Sequence, residues 1–180
     1  MAKQIKNKKK PVQSKKPFWT PRNIVIIILS FVIIAGLIYN FFIRKKEPQF
    51  VKQGEVTFMH YGTKEPIRKI DVEVASTGAQ REQGLMYRSY MADSLGMLFI
   101  FPDAQRHAFW MKNTLIPLDI AFIDSKGQID TIYRNATPLS ERSLPARRNV
   151  QFVVETNGGF CDKNGIKEGD LISYQIINSK

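Results

Sequence analysis

A short segment, FWMKNT at residues 109–114, combines side chains that suit a polar ligand with an apolar face. Trp110 offers a flat aromatic surface and an indole N–H, and Lys112 offers a positive charge. Asn113 and Thr114 add an amide and a hydroxyl at a turn. Together they favour binding of a sugar or a peptidoglycan fragment. The structural alternative is that Trp110 fills the end of a core and Asn113 shapes the turn.

Three charged residues are candidates for acid–base or electrostatic roles. Asp119 and Glu155 lie in strand-like runs, and two carboxyl groups are the pair that a glycosidase-type hydrolase uses as acid and base. Arg88 could support such a reaction, or bind an anionic ligand beside the FWMKNT segment. The alternatives are that Asp119 accepts hydrogen bonds from turn amides, and that Glu155 and Arg88 form buried ion pairs.

A third set of residues raises the question of copper. Methionine thioethers with an imidazole bind Cu(I) outside the cytoplasm, whereas methionines also fill gaps in cores. Four of the six methionines and one histidine cluster between positions 86 and 111: Met86, Met91, Met97, Met111 and His107. Their spacing matches no short ligand motif, so we expect no resident metal or cofactor. The single cysteine, Cys161, excludes an internal disulfide and is predicted to be a buried apolar residue.

The positive charge of the chain is confined to its N-terminal end. The 180 residues include 27 Lys and Arg against 16 Asp and Glu, a formal net charge of +11. Eleven basic residues and no acidic residue precede Glu47, which leaves 16 groups of each sign in the remainder. A neutral domain has no bulk field that attracts a polyanion. We therefore expect no nucleic-acid partner.

An uncharged segment at residues 24–43, IVIIILSFVIIAGLIYNFFI, predicts a transmembrane helix. A helix of this length spans about 30 Å, the thickness of the hydrocarbon core of a bilayer. Eight basic residues precede the segment and three follow it directly, which predicts a cytoplasmic N-terminus. A cleavable signal peptide has a shorter apolar region that ends at a small-x-small site. An uncleaved anchor is therefore favoured.

This interpretation divides the chain into four segments. Residues 1–22 are a basic cytoplasmic tail, and residues 23–43 are the transmembrane helix. Residues 44–54 are a juxtamembrane linker that leads to a periplasmic or otherwise extracytoplasmic domain at residues 55–178. The protein is then a single-pass component of the cytoplasmic membrane, and the lipid bilayer is its first expected partner.

The extracytoplasmic segment has the pattern of a β protein. Apolar residues recur mainly at every second position, which is typical of strands. A helix is predicted over residues 79–90, a short helix and turn at 160–169, a short strand at 109–113 and a long loop at 135–149. The fold class is mostly β, a small antiparallel barrel or sandwich with one clear short helix. The main predicted strands are residues 55–59, 67–75, 96–101, 118–124, 128–134, 150–156 and 170–177.

Four motifs together resemble a known family, the bacterial and archaeal domain-of-unknown-function family 192. They are EQGLMYR (82–88), GMLFIF (96–101), FWMKNTLIPLDI (109–120) and GIKEGD (165–170). The resemblance covers roughly residues 67–177. It implies a compact β-rich domain, commonly exported or attached to a membrane, and it brings no established activity.

Three functions remain open. The first is a binding or accessory module for a cell-envelope glycan or partner protein, with a site formed by Arg88, Trp110, Lys112, Asn113 and Thr114. The second is an envelope hydrolase that uses Asp119 or Glu155 with support from Arg88. The third is Cu(I) binding by the methionine-rich segment.

Overall fold

The structure is a computed structural model that describes residues 19–43 and 48–177. The chain divides into two units, residues 1–46 and 47–180. Residues 1–18 of the predicted basic tail and residues 44–47 of the predicted linker lie outside the described residues.

The described residues of the N-terminal unit form the helix α1 at Pro21–Ile43. Thr20 precedes it, and the Thr20 hydroxyl accepts a hydrogen bond from the Asn23 N–H (3.3 Å). Pro21 suits the first turn because a backbone nitrogen at that position has no hydrogen-bond partner within the helix. The stretch Pro21–Tyr39 is long and apolar enough to cross a membrane. A membrane anchor and a signal sequence both have these properties.

The second unit is mostly β, as predicted. Its strands are β1 (Gly54–Met59), β2 (Pro66–Ala75), β3 (Leu95–Gln105), β4 (Ala108–Phe109), β5 (Leu118–Ile123), β6 (Ile129–Ala136), β7 (Leu144–Pro145), β8 (Val150–Asn157) and β9 (Leu171–Ile176). Two short helices accompany them, α2 (Gly78–Gln83) and α3 (Phe160–Asn164).

Seven of these strands form one sheet in the order β6-β5-β8-β3-β2-β1-β9, and β4 pairs with β7 separately. All pairs in the large sheet are antiparallel except β2 with β3. The edge strand β9 meets the start of β6 at an isolated bridge between Gln128 and Leu171. The two edges of the sheet come together in this way but the sheet does not close, so the distinction between barrel and sandwich is a loose one for this fold.

Both faces of the sheet are covered by apolar residues. The first core includes Val72, Leu98, Val154 and Phe160, and the second core includes Phe99, Met111, Ile120 and Phe122. Strand β5 is buried at all six positions because it contributes to both cores, which explains its nearly continuous apolar sequence. The second core lies beneath the loops that follow α2 and β4.

The helix α2 is shorter than predicted. It begins with the expected capping box, in which the Thr77 hydroxyl accepts from the Gln80 N–H and the Gln80 side chain accepts from the Thr77 N–H. It ends at Gln83 because Gly84 adopts φ +45° and ψ −135°, a conformation that an L side chain rarely adopts. The prediction of helix over residues 84–90 was wrong.

Two other boundaries also differ. The predicted strand at 109–113 is restricted to Ala108–Phe109, because the chain turns directly afterwards. The loop predicted at 135–149 contains the short strand β7, which pairs with β4. These changes leave residues 110–116 as a loop over the second core.

Strands β3 and β8 approach closely at Gly96. A Cβ atom there would lie 2.6 Å from the Glu155 carbonyl oxygen and 2.9 Å from the Ile70 Cδ1. Neither distance is compatible with a side chain, so this position requires glycine. The close approach fixes the strand that carries Glu155.

Candidate functional site

A cleft of about 280 Å³ opens over the second core. Its walls come from α2 and the residues after it, from β3, and from β4 with the loop that follows. We call it the Glu155 cleft; its lining includes Arg81, Phe99, Phe109, Trp110, Lys112 and Glu155. A concave surface that combines aromatic walls with a few polar groups is typical of a ligand site.

Glu155 is a buried acidic residue of the cleft. It is 4% exposed and lies between Met97 on β3 and Ile120 on β5, its register partners. Its carboxyl group takes part in no hydrogen bond or ion pair within the described part of the chain. Burial without a compensating partner raises the pKa of Glu155 to about 8. The side chain is therefore mainly a neutral acid at pH 7, able to donate one hydrogen bond.

Trp110 and Lys112 lie together at the mouth of the cleft. Trp110 is 45% exposed, so it does not fill the core. The Lys112 Nζ lies 5.0 Å from the centroid of the Trp110 ring, a cation–π contact. Lys112 forms no ion pair among the residues that the structure describes. Its charge is therefore available to a ligand.

Thr114 and Asn113 serve mainly to hold the loop. Thr114 is buried and lines the cleft, and its hydroxyl donates to the Lys112 carbonyl (3.4 Å). Asn113 does not line the cleft; it adopts φ +56°, a conformation that Asn tolerates better than most residues. Its carbonyl accepts from the Tyr87 N–H (2.8 Å), and its side-chain amide contacts the Met86 sulfur (3.8 Å). Asn113 thus connects the two loops that flank the cleft.

Arg88 lies outside the cleft. It is buried and forms an ion pair with Glu73 on β2. The second oxygen of Glu73 accepts from the Val51 N–H (3.0 Å). The alternative of a buried ion pair therefore describes the position of Arg88. Arg88 does not lie in one site with Trp110 and Lys112.

Asp119 also lies outside the cleft. Its Oδ1 accepts from the N–H groups of Asn135 (2.8 Å) and Gly159 (3.0 Å), and its Oδ2 accepts from the Cys161 N–H (2.8 Å). Gly159 is the N-cap of α3 and has no side chain to cap it. Asp119 supplies that cap from β5. Asp119 and Glu155 are therefore not placed together as the acid and base of a hydrolase.

The methionine-rich segment is largely part of the second core. Met91, Met97 and Met111 are buried there, in agreement with the gap-filling alternative. His107 stacks on Phe101 with ring centroids 3.6 Å apart, and burial lowers the pKa of His107. Across residues 19–43 and 48–177, no group of three or more His, Cys, Asp or Glu side chains is placed to hold a metal ion.

Sequence reasoning missed much of the cleft lining. Phe99 and Phe101 are two residues apart on β3, and period-two alternation puts them on one face. The pattern does not say which residues pack against that face. Arg81 on α2 lies 5.0 Å above the Phe101 ring and donates to the Ile100 carbonyl (3.0 Å). The sequence pattern predicts Phe109 as part of a longer strand, at residues 109–113, and does not indicate that it lines a cleft.

Comparisons with known proteins find a family model and a relative that match by sequence. A sequence model of the DUF192 family, described as "Uncharacterized ACR", matches residues 59–174. The chain is 28% identical over 114 residues to a UPF0127 protein of Thermococcus gammatolerans, covering 61% of this chain and 69% of that protein.

Two crystal structures are similar to this one. One is from Sinorhizobium meliloti 1021, of a proposed transcription regulator, with a TM-score of 0.65, 38% identity, and coverage of 71% of this chain and 98% of that chain. The other is a protein of unknown function from Novosphingobium aromaticivorans DSM 12444, with a TM-score of 0.62, 38% identity, and coverage of 66% and 83%.

Proposed function

The chain belongs to the DUF192 family, and from the geometry of the Glu155 cleft we propose that it is a membrane-anchored domain that binds a small ligand of the cell envelope. One observation carries this proposal. The buried carboxyl group of Glu155, which has no hydrogen-bond partner in the described part of the chain, lines a cleft that is open to solvent. Burying such a group costs free energy, and a ligand that forms a hydrogen bond with it recovers part of that cost.

The mouth of the cleft supports a binding role. Trp110 presents a half-exposed ring, and Lys112 holds a cation without an acidic partner in the described part of the chain. An aromatic surface beside a charge suits a ligand with an apolar and a polar part. Binding is favoured over hydrolysis because the hydrolase hypothesis requires Asp119, Glu155 and Arg88 to converge in one cleft, whereas of these three residues the cleft is lined by Glu155.

The envelope location rests on the N-terminal segment. The helix α1 is apolar over the length needed to cross a bilayer, and seven basic residues precede it, with Arg22 in its first turn. This charge distribution favours a cytoplasmic N-terminus and an extracytoplasmic domain. The basic residues also favour contact with anionic lipid headgroups.

Location is tested with the full chain carrying a C-terminal epitope. We expect the protein in the membrane fraction after a high-salt wash, and we expect protease added to intact spheroplasts to remove the epitope. A cytosolic marker must survive the same treatment. Recovery of the chain in the soluble cytosolic fraction would contradict the proposed location.

Binding is tested by native mass spectrometry of the full chain in lipid nanodiscs after incubation with an envelope extract. We expect a retained small molecule, which is lost in Trp110→Ala. Tyr90→Ala is the matched control, because Tyr90 is 74% exposed and does not line the cleft. Equal retention by the two variants, or no retained molecule at all, would contradict the binding proposal.

A further inference from the structure

We infer that the ligand of the Glu155 cleft is a small organic anion with an apolar body, whose anionic oxygens accept a hydrogen bond from Glu155 and pair with Lys112. This inference rests on the proposed binding function and names the chemical class of the ligand. It follows from the donors, the charges and the walls of the cleft.

The polar groups of the cleft are mainly donors or cations. Glu155 is held neutral at pH 7 by burial, since its pKa is about 8. A neutral carboxyl group in an apolar site donates a hydrogen bond to a developing or permanent oxyanion. Lys112 adds a cation at the mouth. Both groups fit an acceptor oxygen.

The charges around Glu155 come from two elements. The helix α2 contributes Arg81 and Glu82, and the loop after β4 contributes Lys112. The strand neighbours Met97 and Ile120 are apolar. With Glu155 neutral, the charged side chains of the cleft are two cations, Arg81 and Lys112, and one exposed carboxylate, Glu82. This net positive charge attracts anions and repels amines.

The walls define the rest of the ligand. Phe99 and Phe109 contact each other edge to face, with centroids 4.9 Å apart, and Trp110 extends this aromatic surface to the mouth. Burial of an apolar group against these rings is favourable. The anionic end then lies at Glu155 and Lys112 while the apolar body lies against the rings.

The inference is tested with three probes of similar size: phenylacetate, 2-phenylacetamide and 2-phenylethylamine. The full chain is placed in nanodiscs as a Trp19→Phe variant, so that Trp110 is the remaining one of the two tryptophans and its fluorescence reports binding. At pH 6.5 we expect phenylacetate to bind about tenfold more tightly than either other probe, because one charge-assisted contact of this kind contributes roughly 1.5 kcal/mol.

The pH dependence gives a second measurement. Raising the pH from 6.5 to 9.0 ionises most of Glu155, so we expect the phenylacetate affinity to fall about tenfold. In Glu155→Gln the side-chain amide still donates but does not titrate, so the affinity should be retained at pH 9.0. Lys112→Met, at a partly exposed position, should weaken phenylacetate about tenfold and leave the amide probe unchanged.

Each outcome is informative. Preference for the amine, or equal affinity for all three probes, would overturn the anion inference while leaving the binding site in place. Failure of phenylacetate to bind would also overturn the inference. If the native mass spectra still show a retained molecule, the proposed function stands; if they show none, both fail.

Discussion

Asp119 and Glu155 lie on neighbouring strands, yet their carboxyl groups face opposite sides of the sheet. The register pairs Asp119 with Thr156 and Ile120 with Glu155, and successive residues of a strand alternate between faces. Asp119 therefore meets the backbone of α3 beside the first core, while Glu155 meets the cleft over the second core. Asp119 and Glu155 carry the same functional group, yet they lie in different environments and have different roles.

The role of Asp119 predicts a large loss of stability in Asp119→Ala. Three backbone N–H groups lose a charged acceptor, and we expect the free energy of unfolding to fall by about 3 kcal/mol or more. Asp119→Asn keeps one acceptor oxygen and should lose less. Thermal melting of the full chain measures both variants. Asp93→Ala, which removes an exposed ion pair with Lys163, should melt close to the unchanged protein, and a similar loss there would contradict a specific role for Asp119.

The buried ion pair of Arg88 and Glu73 predicts non-additive variants. Arg88→Met leaves the Glu73 carboxylate buried without its cation, and the expected loss in the free energy of unfolding is about 3–5 kcal/mol. The double variant Arg88→Met/Glu73→Leu removes both charges and should recover much of that loss. Chemical denaturation of the unchanged protein, Arg88→Met, Glu73→Leu and the double variant gives the coupling energy. Additive losses would show that the two side chains do not depend on each other.

The raised pKa of Glu155 predicts how stability changes with pH. The unfolded chain ionises this carboxyl near pH 4.5, whereas the folded chain ionises it near pH 8. Between these values the folded state binds the extra proton, so the contribution of Glu155 to stability falls as pH rises and becomes constant above about pH 8. Glu155→Gln should therefore gain stability over the unchanged protein from pH 5 to pH 8, by a few kcal/mol.

Melting curves across this pH range measure the difference. Glu82→Gln is the matched control, because Glu82 is an exposed carboxyl on the same cleft. We expect no gain of stability in Glu82→Gln, because this substitution removes no buried carboxyl group. A stability difference for Glu155→Gln that does not change with pH would show that Glu155 is not desolvated.

Cys161 is predicted to be unreactive in the folded protein. Burial, with the nearby Asp119 carboxylate as a smaller cause, raises the pKa of the Cys161 thiol to about 12, and only the thiolate is a good nucleophile. Iodoacetamide at pH 8 should leave the native chain unmodified by mass spectrometry and should modify it once guanidinium chloride unfolds the domain. Rapid modification of the folded chain would place Cys161 at the surface.

The sequence by itself determined the local features of this protein. The uncharged run predicts α1 because backbone hydrogen bonds within a helix need no neighbour. The period-two pattern predicts the main strands, and Thr77 with Gln80 predicts the start of α2. The pattern over residues 79–90 does not reveal the end of α2, because a glycine inside a helical pattern does not by itself say whether the helix continues, and here Gly84 adopts φ +45°.

Only the tertiary structure decided which charged groups share a site. Glu73 and Arg88 are 15 residues apart, and Asp119 meets amides 16, 40 and 42 residues away. Periodicity places a side chain on one face of a strand but does not say what covers that face. Strand order and loop packing supply that information, and they give Glu155 an open aromatic cleft and Asp119 a set of backbone amides.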